Sequence, residues 1–195
     1  EMADQYHHGN LKSKLLEEAV TLISQDGLEN LSLRRLATQC GVSHNAIYRH
    51  FDSKERLIDA CRAYVMQELT RTLELTLSGL DESLPQTMEQ LGTAYLDFYM
   101  RNPTYFSAYF RNASQKLTFS LEPIEGNYPP FSVFRRVAVA IAEKQGIPRD
   151  ETRWRLLRYW TMLNGIFAMW ISSNVELPEN WKTCLKNEFQ GAFTI

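Results

Sequence analysis

Apolar residues recur at three- and four-residue spacing along almost the whole chain. Leu11, Leu15, Leu16, Ala19, Val20, Leu22 and Ile23 form one stripe, with Lys12, Lys14, Glu17 and Glu18 opposite. That pattern predicts an amphipathic helix, capped at Asn10 and stopped by Gly27. A short helix is expected over Leu33–Cys40 behind a Ser32 cap, and a second one from about His44 to His50. Asp52-Ser-Lys-Glu55 reads as a capping box opening a long helix that runs to about Leu77. Further helices are predicted over Gln86–Arg101, Thr104–Asn112, Phe131–Gln145, Glu151–Asn174 and Pro178–Phe193. Pro123, Gly126, Pro129 and Pro130 mark residues 113–130 as loop. With no alternating run of strand length and no internal repeat, the expectation is an all-α chain of about nine helices.

Residues 31–57, LSLRRLATQCGVSHNAIYRHFDSKERL, are the most informative. Two helices of about two turns, joined by a three-residue turn containing glycine, have the geometry of a helix-turn-helix. Ala37 falls where the helices cross closely, and Gly41 supplies the left-handed backbone of a tight turn. Val42 and Ile47 pin the second helix to the first, with Leu33 and Leu36 behind, and Ser43 is placed to cap it. Such a second helix offers its first side chains to base edges in the major groove, here Ser43, His44, Asn45 and Ala46. Asn45 can read adenine and Ala46 can touch a thymine methyl. Tyr48, Arg49, His50 and Lys54 are in place to reach phosphates.

Charge changes the picture only when taken by segment. The 195 residues carry 21 basic and 23 acidic side chains, a net charge of −2, which argues against a histone-like surface. Between residues 30 and 62, however, Arg34, Arg35, Arg49, Lys54, Arg56 and Arg62 outnumber Asp52, Glu55 and Asp59. Cys40, Cys61 and Cys184 form no CxxC pair, which suggests a reducing, cytoplasmic setting without disulfides or structural zinc. Neither a membrane span nor a signal peptide is recognisable. A catalytic role has little to stand on, with no glycine-rich phosphate loop, no G-x-S-x-G and no HExxH. No cofactor and no metal site are expected; adjacent His7 and His8 seldom make one.

The run Leu36-Ala37, Gly41-Val42-Ser43, Tyr48, His50-Phe51, Ser53-Lys54-Glu55 and Leu57 resembles the DNA-binding domain of the TetR family of bacterial transcriptional regulators. The helix before it, Leu11–Gly27, is similar to that family's first helix. The resemblance covers roughly the first 60 residues. It implies a homodimer whose N-terminal domains, here residues 8–62, each bind half of a near-palindromic operator. Carried across, Arg34, Tyr48, His50 and Lys54 are backbone contacts, His44, Asn45 and Ala46 read bases, and Phe51 is core.

Residues 63–195 are then an effector-binding and dimerising domain. Eleven of the chain's 23 aromatic residues lie between Tyr95 and Phe134. Filling a core is the default role of such a stripe. In the family, however, the equivalent helices enclose a pocket, so Tyr95, Tyr99, Tyr105, Tyr109, Phe134, Trp160 and Phe167 are the candidate lining for a small lipophilic or aromatic effector. The segment 151–174 is apolar nearly all round, so one face is expected to meet a second subunit. The candidates are Leu157, Thr161, Asn164, Gly165 and Ala168. The expected function is a repressor released from DNA by its effector. The alternative is a DNA-binding structural or cell-division factor of the same shape without a ligand switch; a filled aromatic core favours it.

Overall fold

The computed structural model describes residues 2–106, 116–172 and 174–194. Among these the structure is helical without strands. The helices are α1 (Met2–Asp26), α2 (Leu33–Cys40), α3 (His44–Tyr48), α4 (Lys54–Leu77), α5 (Pro85–Arg101), α6 (Pro103–Tyr105), α7 (Pro129–Gln145), α8 (Arg149–Trp170) and α9 (Trp181–Gly191). The first helix begins at Met2, so Asn10 lies inside it rather than capping it. The chain groups into two units. One holds residues 1–67 and the described part of 102–113; the other holds 68–101 and the described part of 114–195.

In the first unit, α1 buries Leu15, Ala19, Val20, Leu22 and Ile23. Gly27, at φ 85°, ends it by returning its N–H to Ile23 O at 2.9 Å. Leu36, Ala37, Cys40, Ala46, Ile47 and Phe51 complete the core with Leu57, Cys61 and Val65 of α4. Buried Phe106, which follows α6, belongs to this unit too, and α6 packs on α1. The division expected between residues 62 and 63 puts these residues in the C-terminal domain instead.

The buried residues of α4 recur every four positions: Leu57, Cys61, Val65, Leu69, Leu73 and Leu77. A four-residue step overshoots the 3.6-residue turn by about 40°, so this stripe winds around the helix as it advances. The grouping of residues changes at Gln67–Glu68, within the helix.

The second unit packs α5 against α7, α8 and α9, and α7 against α8. Pro129 and Pro130 form the first turn of α7, where their missing N–H groups cost nothing, so the helix starts two residues before its first apolar position. Residues 116–128 are loop, as expected, but a latched one. The Asn127 side chain accepts from Thr118 N–H and donates to Thr118 O, both at 2.9 Å, and Arg135 donates to Leu121 O at 3.1 Å. On the surface, Arg136 grips Glu74 and Glu82 at 2.7 and 2.8 Å.

Candidate nucleic-acid interface

The turn between α2 and α3 is built by its backbone. Gly41 adopts φ 72°, ψ 31°; its N–H reaches Thr38 O at 3.2 Å, and the next N–H, of Val42, reaches Ala37 O at 2.9 Å. This paired closure satisfies the last carbonyls of α2 and needs a left-handed residue at its hinge. Ser32 caps the other end of α2 by accepting from Arg35 N–H at 3.3 Å. Ser43 is extended and makes no side-chain cap bond, so its hydroxyl is left at the surface rather than closing α3.

With only five residues, α3 shows half of itself. At 100° per residue, His44, Asn45 and Tyr48 fall on one side and Ala46 and Ile47 on the other. Burial follows that geometry: Ser43, His44 and Asn45 are exposed and Tyr48 is 44% exposed, whereas Ala46 is 5% exposed and Ile47 is buried. Ala46 was a candidate base contact; it faces the core and has little surface left for a thymine methyl. The His44 and Tyr48 rings meet edge to face, 5.2 Å apart, one turn from each other.

The candidate phosphate contacts divide by what holds them. Arg34 and Arg49 are exposed, and His50 is half-buried. Lys54 gives one donor to Glu29 O at 3.3 Å and keeps the others. Ser53 opens α4 by accepting from Arg56 N–H at 3.2 Å, and hydrogen bonds from the Glu55 N–H and the Ser53 hydroxyl hold the Glu55 carboxyl below its usual range. Two further cations of this unit, both exposed, are held by partners within it. Lys14 donates to Cys40 O at 3.3 Å, and Arg35 pairs with Asp26 and Gln25 of α1. No periodicity links Arg35 to a partner nine residues upstream, so the sequence carried no signal for that pair.

In the second unit, five of the seven candidate pocket residues gather: Tyr95 and Tyr99 of α5, Phe134 of α7, and Trp160 and Phe167 of α8 are all buried. Their rings touch one another, Tyr95 lying 5.0 Å from Tyr99, 5.8 Å from Phe134 and 5.6 Å from Trp160. The hydroxyls have partners inside the core. Tyr95 donates to Asn164 Oδ1 at 2.8 Å, and Tyr159 donates to Met88 O at 2.6 Å. Burial drives the Tyr95, Tyr99 and Tyr159 phenols well above their ordinary range, so all three stay neutral donors. Tyr105 lies in the first unit, half-buried and near Tyr64 and Cys61. Tyr109 falls outside the described residues. A separate cleft of about 600 Å³ opens between α8 and α9, with Arg158, Met162 and Asn187 among its walls.

Of the candidate dimer residues, Thr161 and Gly165 are exposed and Leu157, Asn164 and Ala168 are half-buried on α8, flanked by Trp154 at 62% and Met169 at 46% exposure. A Cβ at Gly165 would meet open space. Asn164 faces inward as much as outward, since it also donates to Trp160 O at 2.7 Å. Burial pushes the Cys61 thiol up to about 12 and raises that of Cys40, whereas Cys184 is exposed on α9. Among the described residues no three His, Cys, Asp or Glu side chains gather as metal ligands, and no helix is long and apolar enough to cross a membrane.

Comparison with known proteins bears on the first unit and on the fold. Residues 15–61 match the family model for bacterial regulatory proteins of the tetR family. An HTH-type transcriptional regulator of Mycobacterium tuberculosis is 24% identical over 162 residues, 81% of this chain and 69% of that protein. The nucleoid occlusion factor SlmA of Pectobacterium carotovorum is 30% identical over 95 residues, 48% of each chain, so the match spans about half the length of that relative. A tetR-family transcriptional regulator from Streptomyces coelicolor has the same fold, with a TM-score of 0.67 at 16% identity over 95% of this chain and 79% of its own.

Proposed function

From a chain that belongs to the tetR family of bacterial regulatory proteins, and is a DNA-binding transcriptional regulator, we propose a more specific role. It is a repressor that binds a near-palindromic operator as a homodimer and leaves it when a small lipophilic or aromatic effector binds. The observation that carries this reading is the presentation of Ser43, His44 and Asn45 at the start of a helix whose other side is buried. These three are the base-reading set. Arg34, Tyr48, Arg49, His50 and Lys54 hold the phosphates, whose positions are fixed without regard to sequence. The exposed small residues Thr161 and Gly165, with Trp154 and Met169 beside them, support a second copy against α8. Release requires an effector that prefers a dimer whose recognition helices no longer match grooves about 34–36 Å apart.

Selection of duplexes from a random library tests this. The unmodified protein is expected to select a two-fold repeated sequence with half-sites about one helical turn apart. Asn45→Ala is expected to change the selected sequence, and Lys54→Ala to weaken binding to every sequence alike and to lower its salt dependence. A monomer by sedimentation at micromolar concentration, or equal loss on all sequences for Asn45→Ala, refutes the corresponding assignment. A second reading, a DNA-binding structural or cell-division factor, is favoured by the ring-to-ring packing of the aromatic core and its internally bonded hydroxyls. DNA binding that no lipophilic or aromatic compound releases would support it.

A further inference from the structure

Arg34 and Arg35 are neighbours in sequence and about 100° apart on α2, and the structure treats them differently. Arg34 is exposed, with no side-chain partner among the described residues. Both ends of the Arg35 guanidinium are occupied: Nη1 pairs with the Asp26 carboxylate and Nη2 donates to Gln25 Oε1 at 3.2 Å. Asp26 is the last residue of α1, where a carboxylate faces the negative end of the helix dipole and gains from a cation. The segment between the two helices is braced at the same place. Asn30 Nδ2 donates to Asp26 O at 2.8 Å, and Lys54 Nζ to Glu29 O at 3.3 Å.

We propose that Arg35 is a positioning residue of the DNA-binding head. Acting through Asp26 and Gln25, it holds α2, and with it the turn into α3, against the end of α1, and it makes no phosphate contact. The proposal rests on the DNA-binding reading above. It separates two adjacent arginines that charge counting treats as equivalent. It also makes Asp26, an acid in a domain that binds a polyanion, a contributor to binding. Simple electrostatics says the opposite, because removing a negative charge beside DNA strengthens association.

The test uses the full chain, a duplex that the unmodified protein selects from a random library, and a random-sequence duplex of equal length. Arg34→Ala, Arg35→Ala, Asp26→Asn and the double variant Arg35→Ala/Asp26→Asn are titrated over a range of salt. Arg34→Ala is expected to lower the salt slope by about 1 and to weaken both duplexes. Arg35→Ala and Asp26→Asn are each expected to keep the slope and to weaken the selected duplex about two- to fivefold, the range an exposed ion pair allows, with less effect on the random one. The double variant is expected to be no weaker than Arg35→Ala alone, because both changes break one interaction. The proposal is overturned if Arg35→Ala lowers the salt slope as Arg34→Ala does, or if Asp26→Asn tightens binding. Equal loss on both duplexes at constant slope, which a mere drop in folded protein would give, also overturns it. If the unmodified protein selects no sequence and binds DNA without salt dependence, the DNA-binding reading itself fails, and this proposal with it.

Discussion

Gly92→Ala is expected to destabilise the second unit, although alanine is the better helix former. Gly92 lies in the middle of α5, where it forms the notch that receives α8 and α9. A Cβ added there would overlap the Tyr159 hydroxyl and stand 2.8 and 2.9 Å from two Phe189 ring carbons. The hydroxyl cannot yield freely, because Tyr159 is 1% exposed and bonded to Met88 O at 2.6 Å. Overpacking of this kind costs about 1–3 kcal/mol. A displaced, unpaired buried hydroxyl adds about 1–3 kcal/mol. The better helix propensity of alanine returns about 1 kcal/mol. The net expectation is a loss of about 1–5 kcal/mol, read as a lower urea midpoint at constant slope. A double-mutant cycle isolates the cause. Tyr159→Phe removes the overlapping oxygen, so Gly92→Ala should cost less in that background, though not nothing, since the Phe189 ring still crowds the site. A Gly92→Ala protein as stable as the original, or an equal cost in both backgrounds, refutes the reasoning.

Gly41→Ala tests backbone conformation without crowding, because a Cβ at Gly41 would meet nothing within 4 Å. With φ at 72°, the substitution is expected to cost about 1–2 kcal/mol in thermal or urea unfolding, and Gly41→Asn less; a neutral Gly41→Ala would contradict the left-handed turn. Asp81 gives a pH signature. The Ser83 hydroxyl and N–H, at 2.5 and 2.9 Å, with Lys144 at 3.2 Å, hold its carboxyl down at about 2 against an ordinary 3.8. A depressed value means stabilisation that is complete above the ordinary value and lost as pH falls toward the folded one. The stability gap between the original protein and Asp81→Asn should therefore be constant above pH ~5 and close between ~4 and ~2. A gap that does not change over that window would sink the assignment.

What could be foreseen from the sequence follows the range of the forces involved. The turn at Gly41 rests on bonds between residues three to five apart, and the cap at Ser32 on a bond spanning three. Spacing rules describe such contacts, and the helix-turn-helix was legible from them. The presentation of α3 was foreseeable in part. Four consecutive candidates cannot all face outward from a helix of 3.6 residues per turn, which is why Ala46 went inward while Asn45 did not. In the second unit the deciding contacts are remote. Tyr95 meets Asn164 across 69 residues, and Tyr159 meets Met88 across 71. Helical periodicity says that such side chains are buried without saying against what, so it named aromatics but not their partners.

Gly92 and Asp26 share a physical cause for having been overlooked. Each is locally unfavourable: a glycine in the middle of a helix raises its entropy cost, and an acid at a helix C-terminus opposes the dipole. Local rules therefore score both as weaknesses. Their compensations come from elsewhere, Tyr159 and Phe189 filling the space that glycine leaves, and Arg35 neutralising the carboxylate. A locally unfavourable residue at an otherwise regular position thus points to a partner distant in sequence. Here one such partner closes the packing of α5 against α8 and α9, and the other ties α2, the helix that leads into the turn before α3, to the end of α1.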